Sequence, residues 1–409
     1  MAKLFVFYHF FYPDPVVSSV LFSELSSDLV QLGWEVTAFP GNRGSGTPVK
    51  SYSRSEQWNG VRVERVWRPP LPQETTSGRI LNAFWMLLCW SFLAIRTRQS
   101  PEAILIGTDP IFSILIAPVW RFFHPSTRII HWCFDLYPEA AYADGILPKN
   151  GILDAILTTL LKKSYRACNL VVDIGVCMRK LLQGYDPAMR SATIVPWALS
   201  DPFCSLPTPV EERLALFGEQ RLALMYSGSF GRAHSYEDML ELMRHLRDSS
   251  ASLVVSTNTS VESRFRAAVS AEDTNVNFVD LAAPDQIEQR LAAADIHVIT
   301  LRKDWTGTVV PSKFFGALAV GRPVLFCGSR DSSLAKWIEA FQIGWVLEPG
   351  DAAAVAESLR QIIQNPSTIN DMRRRCYQVY QANFSRASSS DQWNSLLKEL
   401  LAASDSRSF

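Results

Sequence analysis

Apolar runs of strand length alternate with amphipathic stretches of helix length along almost the whole chain of 409 residues. Residues 4–10 read as a strand, 20–32 as a helix and 35–39 as a strand, with further strands at 103–106, 128–132 and 170–174. The rhythm then breaks and restarts, with strands at 222–226, 253–256, 276–279, 296–300 and 324–327. Strands with no polar face must be covered on both sides. Alternation with helices supplies that cover, and predicts parallel sheets with helices on either face.

The break at residues 200–209, SDPFCSLPTP, has a linker's composition. The expected class is α/β, with two doubly wound, Rossmann-like domains at 1–203 and 218–385 facing each other across a cleft. The first would bind an acceptor and the second a donor. A C-terminal helix within 386–409 is expected to cross back to the first domain. In such sheets ligands sit beyond the carboxyl ends of the strands, so the strand-to-helix loops are where chemistry is sought.

Composition narrows the function. Forty basic residues balance forty acidic ones, so a strongly basic body, the electrostatic footprint of a nucleic-acid binder, is absent. The seven cysteines form no CxxC pair and no Cys/His cluster of zinc spacing, and read as buried free thiols of a reducing, cytoplasmic compartment. The N-terminal MAKLFVFY reads as a first strand rather than a leader. Residues 80–95, ILNAFWMLLCWSFLAI, lie between Arg79 and Arg96. A spanning helix needs about 20 apolar residues. This shorter run suits a helix buried on both sides, or an interfacial one with Trp85 and Trp90 at headgroup level on the inner face of the cell membrane.

Three loops carry candidate chemistry. The first, Tyr226-Ser227-Gly228-Ser229-Phe230-Gly231-Arg232, leaves a strand and enters a helix, with Ser235 and Asp238 as a capping pair. Gly228 and Gly231 let the backbone approach an anion, and Arg232 adds charge. The second comprises Asp304, Trp305, Thr306, Thr308, Val309, Val310, Pro311, Ser312 and Lys313, with Pro311 expected at the first helical position. Its backbone N–H groups and Lys313 suit a diphosphate. The third holds Asp135 and Glu139 after the strand at 128–132, as sugar-binding or acid/base carboxylates. Residues 41–47 have P-loop glycine spacing, but Thr47 stands where the lysine must be. No two aspartates are separated by one residue and the six histidines are dispersed, so no metal or other cofactor is expected.

With these motifs the sequence resembles the GT-B glycosyltransferases, specifically the retaining family 4 enzymes. Gly33-Trp34-Glu35-Val36-Thr37 is similar to the family's GHEVT, and Ile194-Val195-Pro196-Trp197 with Phe203 to its IPNGVD…F stretch. AAADIHV at 292–298 resembles YAxADVxV, and Pro311-Ser312-Lys313 with AVGRPV at 319–324 resembles PxKxxEYMAxGxPV. The stretch from Asp135 to Glu139 and the apolar helix further resemble the bacterial branch that builds surface polysaccharides on lipid-diphosphate carriers.

The resemblance implies a metal-independent hexosyltransferase moving a sugar, with retention, from a nucleotide-sugar donor, UDP-linked, to a saccharide or polyprenyl-diphosphate-linked acceptor. Gly228, Gly231, Arg232, Lys313 and the 304–312 loop would hold the donor, with Asp135 and Glu139 opposite. Four positions depart from the family pattern. Thr308 and Gly316 stand where the family carries paired glutamates, and Ser229 and His234 where it carries an arginine and a lysine, with Arg232 as the nearest substitute. Those departures keep two alternatives open: a non-catalytic protein partner of a glycosyltransferase, and a sugar-nucleotide epimerase of the same architecture.

Overall fold

The computed structural model describes residues 1–46, 49–257 and 262–403; Thr47, of the glycine-rich 41–47 segment, lies outside them. The chain divides into two compact units, Met1–Val195 with Ser389–Phe409, and Pro196–Ser388.

Unit 1 opens with β1 (Lys3–Phe7), α1 (Val17–Gln31) and β2 (Glu35–Ala38), followed by the antiparallel pair β3 (Ser55–Trp58) and β4 (Val61–Glu64). Next come α2 (Thr76–Arg96), β5 (Ala103–Ile106), α3 (Ala117–Phe123), β6 (Arg128–Trp132), α4 (Glu139–Ala143), α5 (Ile152–Ala167), β7 (Leu170–Asp173), α6 (Val176–Leu182) and β8 (Ser191–Thr193). The strands form one sheet in the order β3-β4-β2-β1-β5-β6-β7-β8, parallel apart from β3. The chain runs outward from β1 to β2 on one side and from β5 to β8 on the other. With right-handed crossovers, α1 therefore covers one face, while α2, α3 and α5 cover the opposite one. Consistent with that, α3 packs against both α2 and α5.

Unit 2 contains α7 (Val210–Phe217), β9 (Leu222–Ser227), α8 (Glu237–His245), β10 (Ala251–Ser256), α9 (Glu262–Ala268), β11 (Val276–Val279), α10 (Ile287–Ala293) and β12 (Ile296–Thr300). It continues with α11 (Lys313–Ala319), β13 (Val324–Cys327), α12 (Ser333–Phe341), β14 (Gly344–Leu347), α13 (Ala352–Gln364) and α14 (Ser367–Asn383). Its sheet, β11-β10-β9-β12-β13-β14, is parallel throughout. Central strands are buried, β10 and β12 throughout and β9 up to Tyr226, which is why they read as apolar runs.

The units do not part at 200–209. That segment belongs to unit 2, tied down by the buried guanidinium of Arg322, which donates to the Leu206 carbonyl at 3.0 Å, and by the Tyr377 hydroxyl, which donates to the Pro202 carbonyl at 3.1 Å. The final helix, α15 (Arg386–Ala402), enters unit 1 at Ser389. There Trp393 packs edge-on against Trp132, and the Trp34 indole N–H donates to Asn394 at 3.0 Å. Trp393 is fully buried.

α2 overturns the reading of a helix buried on both sides, and removes Trp90 from the interfacial one. Asn82, Met86, Trp90 and Ala94, four residues apart, face inward and are buried, while the other face is open. Trp90 is not a membrane-contacting residue: it is fully buried, with its indole N–H donating to the Phe39 carbonyl at 2.8 Å. Trp85 stays on the outer side, its N–H donating to the Trp67 carbonyl at 2.7 Å. Arg79 and Arg96 are exposed. The cysteines are free thiols; Cys204 is exposed, against the expectation of burial, and Cys89 half-buried.

Candidate functional site

In unit 2 the sheet changes direction between β9 and β12, with β10 and β11 to one side and β13 and β14 to the other. A crevice opens beyond the strand ends at such a switch point, and ligands bind there. The loop after β9 carries Gly228 to His234, and the loop after β12 runs through Asp304 to α11. Arg302 N–H donates to the Ala233 carbonyl at 2.8 Å, which fastens the two loops together.

Lys313, the first residue of α11, is at the centre. Its Nζ lies 3.5 Å from His234 Nε2 and 5.2 Å from the centroid of the Tyr226 ring. His234 Nδ1 lies 2.7 Å from the Thr300 carbonyl oxygen. A carbonyl only accepts, so Nδ1 carries the proton and Nε2 turns its lone pair to the ammonium. Burial, then the neighbouring Lys313 charge, pushes His234 down to about 4, so it is neutral near pH 7. Burial also lowers Lys313 to about 8. The result is a cation held in a poorly hydrated pocket beside a neutral acceptor, ready to meet an anion.

Gly228 is required where it stands. Its φ is +120°, and a Cβ there would come within 2.8 Å of Lys313 Cε. Its N–H donates to the Ser256 carbonyl at 2.9 Å, and the Tyr226 hydroxyl donates to the Ser229 carbonyl at 2.7 Å, which fixes the turn. A Cβ on Gly231 would meet nothing within 4 Å. Arg232 is exposed, and its carbonyl accepts from Arg302 at 3.3 Å.

Three details of the loops differ from the sequence reading. Ser235 bonds Glu237 at 2.6 Å rather than pairing with Asp238. α11 begins at Lys313 after Ser312, which leaves Pro311 outside the helix. Thr308 is buried, and both its N–H and its hydroxyl donate to the Trp305 carbonyl, at 3.0 and 2.8 Å. It braces the loop, so it does not offer that N–H or hydroxyl to a ligand. Val309 bridges to Thr306, Val310 and Pro311 are buried, Ser312 is exposed, and exposed Asp304 lies 3.7 Å from Arg302. Trp305 Nε1 and Thr306 Oγ1 are buried with no hydrogen-bond partner among the described residues, so this loop holds two polar atoms for a ligand to satisfy.

In unit 1 the switch point lies between β1 and β5. His9, just past β1, sits there with Asp109, just past β5: the ring Nδ1 is 3.3 Å from Asp109 Oδ1, and His9 N–H donates to the Asp109 carbonyl at 2.9 Å. Sequence reasoning missed this pair; a histidine at a strand's carboxyl end was its one signal. Phe112, in the same β5–α3 loop, has a φ of +64°, uncommon for a bulky residue. Asp135 follows β6, exposed on one side and crowded on the others. That crowding, then the charge of Asp109, raises its carboxyl to about 6. A hollow beside it is lined by Thr108, His131, Tyr137 and Tyr165. Glu139 lies apart from this group, accepting from the Tyr185 hydroxyl at 2.6 Å, with burial raising its carboxyl. No three His, Cys, Asp or Glu side chains among the described residues converge as a metal site.

Residues 211–379 match the family described as Glycosyl transferases group 1. The chain is 23% identical over 327 residues to the probable glycosyltransferase WbjE of Pseudomonas aeruginosa, covering 76% of this chain and 78% of that protein. It is 23% identical over 150 residues, 36% of this chain and 37% of the other, to a putative colanic acid biosynthesis glycosyl transferase, WcaI, of Escherichia coli. Anabaena HepE, solved in complex with UDP, superposes with a TM-score of 0.61 at 12% identity, over 98% of this chain and all of that one. Residues 211–379 thus carry a Glycosyl transferases group 1 domain, and the fold of the chain is that of the GT-B glycosyltransferases.

Proposed function

We propose that the protein transfers a hexose, with retention, from a UDP-sugar to a saccharide or lipid-linked acceptor in polysaccharide or glycoconjugate synthesis. The observation that carries this reading is the half-buried Lys313 ammonium against His234 and Gly228 at the switch point of unit 2. In the reaction the bond from the anomeric carbon to the diphosphate breaks, and negative charge grows on the leaving oxygens. Lys313 and Arg232 stabilise that charge without a metal, and a cation preorganised in a water-poor site does so strongly. The acceptor oxygen bonds the anomeric carbon on the face the diphosphate leaves, and its proton passes to the departing diphosphate. Asp135 and Glu139 bind the acceptor. The UDP complex of HepE and the biosynthetic role in WcaI's name support this choice of donor and pathway class.

The test is incubation with a panel of UDP-hexoses and saccharide or lipid-diphosphate acceptors, reading UDP release and the anomeric configuration of the product by NMR. An α-linked product from an α-linked donor is expected; a β-linked product overturns retention. An isomerised UDP-sugar formed without acceptor marks an epimerase. One observation favours a second reading, a non-catalytic partner subunit: Thr308 turns its N–H and hydroxyl into its own loop where the family has a carboxylate. Binding of UDP without turnover on any acceptor would support it.

A further inference from the structure

The His9–Asp109 pair at the switch point of unit 1 belongs to a larger polar cluster. Its other member is Arg68, just past β4, which has no exposed surface. A Cβ on Gly41 would meet Arg68 Cδ and the His9 carbonyl oxygen, each at 3.5 Å, so the two residues are neighbours. Phe10 backs both: its ring stacks on that of His9 at 4.1 Å and lies 5.8 Å from the guanidinium carbon of Arg68.

The glycine-bearing segment at 41–46 holds Arg68 in place. Arg68 N–H donates to Asn42 Oδ1 at 2.8 Å, and Nη2 of the guanidinium donates to the Gly44 and Arg43 carbonyls at 3.0 and 3.3 Å. The segment is tied in turn to His9, whose carbonyl accepts from Gly41 N–H at 2.9 Å, and to Asp14, which accepts from Ser45 N–H at 2.7 Å. Arg68 Nε and Nη1 are left buried, with no partner among the described residues. Burial pulls this guanidinium down to about 10 while the charge of Asp109 acts the other way, so it is charged near pH 7. On His9, the carboxylate oxygen at Nδ1 accepts, so that nitrogen carries the proton. Nε2 of the neutral ring is left with a lone pair, and it too is buried with no partner among the described residues.

Buried polar atoms are expected to be bonded, and this set specifies what completes it. Arg68 offers N–H donors and His9 an acceptor, so the missing group has to accept and donate at once. A phosphate or carboxylate accepts only: it would leave the Nε2 lone pair unmet and bring its charge toward Asp109. Hydroxyls do both. We propose that His9 and Arg68 form a subsite for two adjacent hydroxyls of a neutral sugar ring, one donating to His9 Nε2 and both accepting from Arg68, and that this subsite sets the specificity for the acceptor. The proposal rests on the reading of unit 1 as the unit that holds a saccharide acceptor. Asp109, its side chain 35% exposed, is the opening of the cluster to solvent.

Ligand-observed NMR titration of the full-length protein tests this without any donor, using the methyl glycosides of glucose, galactose and mannose, each beside its uronate. At least one neutral glycoside should bind, about ten-fold more tightly than its uronate. His9→Ala and, separately, Arg68→Met should each weaken it about ten-fold, the effect of one net hydrogen bond. In a series of deoxy forms of that glycoside, one position should cost the wild type about ten-fold and His9→Ala nothing further. UDP should bind both variants as it binds the wild type. Should Arg68→Met not fold, His9→Ala and the deoxy series decide. No glycoside bound by the wild type, a uronate bound as tightly as its neutral form, or no deoxy position to which His9→Ala is indifferent overturns the proposal. A His9→Ala protein with a lowered unfolding midpoint and equal losses for UDP and glycoside overturns it too, assigning the cluster to the fold. In the transfer reaction His9→Ala should raise the acceptor KM with kcat unchanged; a fall in kcat alone would make His9 a proton carrier instead. A wild type that binds glycoside but not UDP strikes at the donor reading and leaves this subsite standing.

Discussion

Lys313 Nζ and His234 Nε2 stand 3.5 Å apart, an ammonium facing the lone pair of a neutral imidazole. The arrangement is electrostatically consistent only with His234 unprotonated, and the Thr300 carbonyl at Nδ1 enforces that tautomer. It leaves Lys313 as a half-buried positive charge, at the outer limit of hydrogen-bonding distance from its neighbour and available to a stronger acceptor.

A pH dependence follows. Lys313 titrates near 8 in the free protein; below that pH it is charged and attracts a diphosphate, and above it the attraction fades. The kcat/KM for the donor should therefore fall about ten-fold per pH unit above about 8, with a limit set by the remaining donors. In Lys313→Ala the alkaline limb should vanish. In His234→Ala, water entering the pocket should raise the lysine pKa and move the limb to higher pH. An unmoved limb in both variants would assign it to another group.

Gly228→Ala should destabilise unit 2 by about 1 kcal/mol, the cost of a side chain at positive φ. Its methyl group also displaces Lys313 Cε. A loss of donor affinity larger than the small drop in thermal midpoint is expected, measured by titration and unfolding on the same samples.

Trp90→Ala and Phe84→Ala should separate cleanly in thermal unfolding. The buried indole is worth about 3–5 kcal/mol by the usual cost of emptying an aromatic core site, whereas the exposed ring falls within about 0.5 kcal/mol. Chemical denaturation of each variant reads the difference directly.

On the proposed mechanism, in which Lys313 and Arg232 meet the charge on the leaving diphosphate, transfer should proceed unchanged after exhaustive treatment with EDTA. A rate restored only by Mg²⁺ or Mn²⁺ would reassign that task to a metal.

The sheets were legible in the sequence where strands are buried on both faces. β5, β6, β12 and β13 match their apolar runs end to end. The β3–β4 hairpin was missed because Ser55-Glu56-Gln57-Trp58 lies at a sheet edge and carries no apolar run, although Asn59 and Gly60, both at positive φ, marked the turn. The apolar helix was legible as a helix but not in its facing. Trp85 and Trp90 are five residues apart, about 140° around the axis, so both cannot reach a membrane, and only the packing of Trp90 says which is inside. Lys313 was legible through its Pro-Ser-Lys setting. His9 and Asp109 were not, being 100 residues apart and joined only by strand order.

The most direct test of the donor site is calorimetric titration of UDP into the wild type and Lys313→Ala at pH 7, both shown to be folded. Binding of one UDP by the wild type, weakened at least about ten-fold in the variant, is the expected result. Equal affinity in the two proteins, or no UDP binding by the wild type, would contradict it.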